Sequence, residues 1–334
     1  MTALEGFIRR LPKAELHLHI EGTLEPEMMM RLAEKHGVAL PYDTLEDIHK
    51  AYNFKDLQSF LNLYYMGASV LIDEDDFYQL MMAYLNRCHE EGIVHAEMMF
   101  DPQTHTDRGI DFSVFMSGFV KARDEAEKLG ISTALIMCFL RHLPEDGAIA
   151  TLKAAEPWRG DIRMVGLDSG EVGNPPEKFE RVFRQAAAQG YGLTAHAGEE
   201  GPPPYIRGAL DTLGVTRIDH GVRCLEDEAL VKQLVQSQIP LTVCPLSNIR
   251  LRVFDQMQDH PILAMLESGL NVSVNSDDPP YFGGYLMDNF KSLESSLGMS
   301  AEQAKQLAAN SIRNSAIDGE RRETWLNEIH AAMP

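Results

Sequence analysis

Eight short strand-like runs recur along this chain, each separated from the next by a helical pattern, and this alternation limits the possible folds more than any other feature. The runs are Glu15–Ile20, Val94–Phe100, Ser132–Leu140, Met164–Asp168, Gly192–Ala197, Arg217–Gly221, Leu241–Pro245 and Asn271–Ser276. Helical periodicity fills Phe112–Leu129, Lys178–Gln189, Glu226–Gln238 and Pro261–Ser268. Strict alternation implies right-handed β-α-β crossovers and a parallel sheet. Eight repeats imply an α/β fold closed as a (β/α)8 barrel of the TIM type. An open, doubly wound sheet is the alternative, but it usually carries a Gly-rich phosphate loop after its first strand. The first run here leads instead into Glu21-Gly22-Thr23. With no Pro-, Gly- or Ser-rich linker, residues 1–334 read as a single domain. A long helical excursion fills the gap to about residue 92, and extra helices follow Tyr285. Thr23 is placed to cap the first helix of the excursion, with Gly37 as its stop. Phe54, Leu57, Phe60, Leu61 and Tyr64 fall at helical spacing there, as core residues or as a lid over the strand ends.

Composition excludes some classes of function. The net charge is −20, spread along the chain, which argues against nucleic acid and anionic membranes as partners and is compatible with a small neutral substrate. No apolar run is long enough to cross a bilayer, and the first twenty residues hold charges where a signal peptide is apolar. The expected location is cytoplasmic. The four cysteines, Cys88, Cys138, Cys224 and Cys244, are widely spaced and read as reduced, buried side chains.

Barrel active sites form at the C-terminal ends of the strands, so the residues ending each run matter most. In Glu15-Leu16-His17-Leu18-His19-Ile20 the period is two, which turns His17 and His19 to the same side, about 6–7 Å apart along the chain. The fifth run ends in His196-Ala197-Gly198-Glu199, the sixth in Asp219-His220-Gly221, the eighth in Ser276-Asp277-Asp278-Pro279. Ionisable residues thus gather at one rim, as a catalytic mouth requires. His17, His19 and His196 with Asp277 form a plausible zinc sphere with room for water, although iron or manganese suits the same donors. Adjacent carboxylates on a regular strand point to opposite sides, which leaves Asp278 free for substrate or for orienting the metal-binding side chains. Taken alone, Glu199 is a helix cap or a general acid–base, and His220 a core hydrogen bonder or a group acting on water. The fourth run ends in Asp168-Ser169 with no lysine to bridge two ions, so one metal is expected.

These residues resemble the adenosine and adenine deaminase family of the amidohydrolase superfamily. The matching pieces are Pro12-Lys13-Ala14-Glu15-Leu16-His17-Leu18-His19, His196-Ala197-Gly198-Glu199, Ile218-Asp219-His220-Gly221, Cys244-Pro245-Leu246-Ser247-Asn248 and Ser276-Asp277-Asp278-Pro279. The resemblance implies hydrolytic deamination at C6 of a purine, with one zinc ion per chain and a role in purine salvage. By matching position it makes His17, His19, His196 and Asp277 the zinc ligands and Glu199 the proton donor to ring N1. His220 then assists the attacking water, electrostatically or as a base, Asp278 contacts N7, and Gly170 lies near the family glycine that contacts N3. One departure concerns the substrate. The family usually has Asp-Gly after the His-x-His strand, where the Asp helps hold a ribose; this chain has Glu21-Gly22, whose extra methylene is expected to crowd a ribose. Ser169–Pro176 and Asp278–Tyr285 resemble the adenine branch. Free adenine is therefore the expected substrate, with adenosine or N6-substituted adenine as the alternatives and another metal-dependent hydrolase a more distant one.

Overall fold

The computed structural model describes residues 2–334. Its strands are β1 Lys13–His19, β2 Ile93–Phe100, β3 Ser132–Leu140, β4 Ile162–Asp168, β5 Gly192–Ala197, β6 Arg217–His220, β7 Leu241–Val243 and β8 Val272–Val274. They form one sheet in sequential order, every adjacent pair parallel. Helices follow the strands around the outside. The result is the expected (β/α)8 barrel.

The ring nearly closes, and residues just beyond β8 meet β1. His19 N donates to Asp277 O (3.0 Å) and Asp277 N to His17 O (3.2 Å). The last two strands are shorter than their apolar runs predict. Pro245 has no N–H to continue the ladder and instead begins the helix Pro245–Arg250, and Asp277 adopts a left-handed φ of 64° that turns the chain out of the strand.

Alternation along the strands separates two apolar regions. Leu16, Leu18 and Ile20 face outward into the main core beneath the helices. Inside the barrel a small cluster of Met99, Ile136 and Cys138, with Met164 against it, forms a plug. Gly166 belongs to this layer because a Cβ there would sit 2.6 Å from Cys138 Sγ. All four cysteines are free and buried.

The excursion between β1 and β2 consists of helices Pro26–His36, Leu45–Ala51, Leu57–Ala68 and Glu74–Glu91. Thr23 does not cap the first of them. It lies in a tight turn, its hydroxyl donating to Ile20 O (2.7 Å), and Glu25 occupies the cap position without a side-chain bond. Gly37 does end that helix, at φ 65°. Helix Leu57–Ala68 begins with a reciprocal Asp56–Ser59 cap and lies over the C-terminal rim. Near the C-terminus, helix Ala301–Asn314 packs on β1 and β8: Asn310 Nδ2 donates to Val272 O (2.8 Å) and Ala14 N to Ser311 Oγ (2.9 Å). No helix among the described residues is long and apolar enough to cross a membrane.

Candidate active site

The two histidines of β1 point into the barrel mouth, where His196 from β5 and Asp277 meet them. The His19 and His196 Nε2 atoms are 3.2 Å apart, and Asp277 Oδ1 lies 3.3 Å from His17 Nε2 and 3.4 Å from His19 Nε2. Four donors at bond lengths of about 2.0–2.2 Å in a tetrahedron stand roughly 3.3–3.5 Å apart, so this spacing fits one ion between them. The surroundings fit as well. Thr242 Oγ1 donates to Asp219 Oδ1 (2.9 Å) and so accepts from His17 Nδ1 (3.0 Å); the lone pair of His17 therefore lies on Nε2, which is buried with no hydrogen-bond partner. Asp168 stands 3.5 Å behind His19 Nδ1 and Asp219 3.7 Å behind His196 Nδ1, the positions of groups that orient metal-binding imidazoles.

Glu199 follows β5 on a loop held by one carboxylate. Glu171, 1% exposed, accepts from the main-chain N–H groups of Gly198 (2.7 Å), Glu199 (3.1 Å), Glu200 (3.0 Å) and Gly201 (2.8 Å). Gly201 must be glycine here, because a Cβ would fall 2.3 Å from Glu171 Oε1. Arg141 fixes the end of β5 before this loop, donating from Nη1 to His196 O (2.7 Å). Burial pushes the Glu199 carboxyl well above the usual range, and the negative charges of Asp277, Glu200 and Glu171 push it further. The acid form of Glu199 is therefore favoured.

His220 closes this side, with Nε2 3.7 Å from both Glu199 Oε2 and Asp277 Oδ2. Burial lowers its pKa to about 3, so the ring is neutral. Its tautomer follows from a chain of bonds that starts at a main-chain donor. Ile262 N donates to His260 Nδ1 (3.3 Å), His260 Nε2 to Asn248 Oδ1 (3.1 Å), and Asn248 Nδ2 to His220 Nδ1 (3.4 Å). The proton of His220 then sits on Nε2 and faces the cavity.

A cavity opens beside these groups at the barrel mouth, lined by His19, His196, Glu199, His220, Asp277 and Asp278. Helix Leu57–Ala68 roofs it with Leu57, Phe60, Leu61, Tyr64 and Tyr65, so these aromatic residues are both buried and part of the lining. Asp277 and Asp278 both face the cavity. The regular-strand expectation that only one could do so fails because Asp277 is left-handed, as are Ser169 and His220 at the ends of β4 and β6.

Two predicted contacts lie elsewhere. Glu21 is absent from the lining: its Oε1 accepts from Asp101 N (3.1 Å) and His105 Nε2 (2.8 Å), so its extra methylene reaches toward β2 rather than into the substrate space. Gly170 is not in the lining, though its neighbour Ser169 is. Missing from the sequence-based set are Asp101 and Asp168, which line the cavity at the ends of β2 and β4. The question put to the other strands, what ends each one, would have found both. Glu171 left no such signal, since its role depends on a loop that follows another strand.

Comparison with known proteins adds a second line of observation. The family model described as adenosine deaminase matches residues 12–332. An adenine deaminase of Hahella chejuensis is 58% identical over 327 residues, 98% of each chain. Among solved structures, the adenine deaminase from Arthrobacter aurescens superimposes with a TM-score of 0.94 at 51% identity, covering 96% of this chain and 98% of that one. An amidohydrolase from Burkholderia ambifaria with bound Zn gives a TM-score of 0.89 at 25% identity, covering 99% and 94%.

Proposed function

This chain belongs to the adenosine deaminase family, and from that membership we propose that it is an adenine deaminase that converts adenine and water to hypoxanthine and ammonia. Zinc is the proposed ion, one per chain, held by His17, His19, His196 and Asp277. The donor set supports this reading, as does the Zn in the Burkholderia relative. When bound, the ion activates water as a nucleophile at neutral pH. The residues around it do the rest. Glu199 gives its proton to N1 of the ring, which withdraws electrons from C6, so that as the oxygen bonds to C6 the electrons of the C6–N1 π bond come to rest on N1 and the aromaticity is given up. His220, with its proton on Nε2, donates to the oxygen arriving at C6 and stabilises the charge gathering there; of the two roles open to it, the tautomer favours the electrostatic one. Asp278, whose acid form is favoured by burial and by the charge of Asp277, donates to N7. The helix Leu57–Ala68 keeps bulk water away. A cytoplasmic place in purine salvage completes the proposal.

One observation carries it: a buried carboxyl, pushed toward its acid form by burial and by neighbouring negative charges, stands beside four converging His and Asp side chains at the barrel mouth. The test is a parallel ultraviolet assay of adenine, adenosine and an N6-alkyl adenine with zinc-loaded protein. Adenine is expected to lead in kcat/KM, with the rate falling as pH rises through the Glu199 pKa, because the acid form is the active one. A lead by adenosine keeps the chemistry and overturns the substrate. Inactivity on all three bases overturns both.

A further inference from the structure

The strands appear in sequential order around the barrel, so the polar groups at its rim have a defined angular order. From β8 past β1 and on to β5, the carboxyl groups lining the cavity are Asp278, Asp101, Asp168 and Glu199. The edge of a purine, read from N7 to N1 on the side away from C6, presents N7, N9, N3 and N1. With N7 at Asp278 and N1 at Glu199, as proposed above, the N9–N3 edge faces the ends of β2 and β4. This inference rests on that reading.

We propose that Asp101 is the specificity-determining residue for the free base, its Oδ1 accepting the N9–H of adenine. Asp101 is 2% exposed. Its Oδ2 accepts from Tyr64 OH (3.1 Å), while its Oδ1 is buried with no partner. The residue cannot easily turn away, because Glu21 Oε1 holds its main-chain N–H (3.1 Å). Glu21 is held by His105 (2.8 Å), which in turn accepts from Arg108 Nη2 at Nδ1 (2.9 Å). Neighbouring groups are committed elsewhere. Asp168 backs His19, and Ser169 Oγ is engaged by Tyr65 OH (2.9 Å) and His142 Nδ1 (2.8 Å). N9–H is the donor that separates adenine from every N9-substituted purine. A substituent at N9 both leaves Oδ1 without a donor and presses carbon against a buried carboxylate, and sites built around a substrate N–H reject analogues that lack it. Glu21 then excludes ribose by positioning Asp101, not by crowding.

The experiment measures kcat/KM for adenine and 9-methyladenine, together with metal content, in zinc-loaded wild type, Asp101→Asn and Tyr64→Phe. In Asp101→Asn the amide oxygen keeps the Tyr64 bond, so an NH2 meets the incoming N9–H. The expected result is a loss of about ten- to a hundredfold on adenine, mainly in KM, with little change on the methylated base and one zinc retained. The adenine preference therefore narrows. Tyr64→Phe shifts the preference the same way by less, and it supplies the test should Asp101→Asn fail to fold. Adenine turnover with an unchanged preference in both variants overturns this inference alone. A second metal equivalent in wild type that Asp101→Asn loses also overturns it, since His19, Asp101 and Asp168 offer donor atoms within 4.8 Å of one another. A wild type that leaves adenine untouched overturns the function reading and this inference with it.

Discussion

The barrel buries charge in two places, and it treats the two differently. Deep in the barrel, away from the mouth, charges are paired. Arg217 Nη1 meets Glu97 Oε2 at 2.6 Å and its Nε stands 3.3 Å from Asp219 Oδ1. Glu97 also accepts from Ala316 N (2.6 Å), and Asp219 from Thr194 and Thr242. Burial alone would raise Glu97, but the Arg217 charge and His95 hold it down to about 2. At the C-terminal mouth the carboxyls are as deeply buried, yet Asp168 Oδ1, Asp101 Oδ1, Glu199 Oε1 and Asp278 Oδ1 have no hydrogen-bond partner, while Asp168 Oδ2 stands 3.5 Å behind His19 Nδ1. Arg217 Nη2 is the lone orphan of the inner network. A protein that can satisfy buried charge in one layer and leaves it unsatisfied a few residues further along the same strands has reserved those atoms for something that arrives.

Removing a partner from the paired layer has the largest expected effect on stability. Arg217→Met strands Glu97 and Asp219 and is expected to cost about 3–5 kcal/mol in urea unfolding; a loss below about 1 kcal/mol would break the contrast between the layers. Glu171→Gln tests the paired carboxylate at the mouth. One oxygen becomes an NH2 facing main-chain donors, so the Glu199 loop loosens. The expected change is a kcat lowered by roughly ten- to a hundredfold, with zinc content and KM kept. A KM effect with kcat unchanged would show that the clamp serves binding instead. The smallest effect reverses sign. In zinc-loaded protein at neutral pH, Asp278→Asn removes the cost of taking up a proton on folding at a carboxyl whose pKa burial has raised, and it is expected to add about 1 kcal/mol of stability while lowering activity, the trade expected of strained functional sites. A destabilised Asp278→Asn would mean that the mouth carries no such strain.

Much of this was legible in the chain. The His17–His19 alternation, the polar endings at His196, Glu199, His220 and Asp277, and the eight-fold repeat depend on local period, which survives in one dimension. The reading failed where a single left-handed residue resets direction: Asp277 brings its neighbour Asp278 into the same cavity, against strand alternation. It failed again at Glu21, whose chemistry was judged by length rather than by what stood beside it.

The sequence by itself determined the barrel and which of His17, His19, His196, Asp277 and Glu199 converge at its mouth, because each is written in spacing along one strand or in what ends it. Only the tertiary structure decided that Glu171 holds the Glu199 loop, that Ile262, His260 and Asn248 set the His220 tautomer, and that Asp101 is left with an open oxygen. Those facts depend on the direction and distance of groups far apart in the chain, and such groups acquire a relation only when the closing sheet brings strand ends together around one axis.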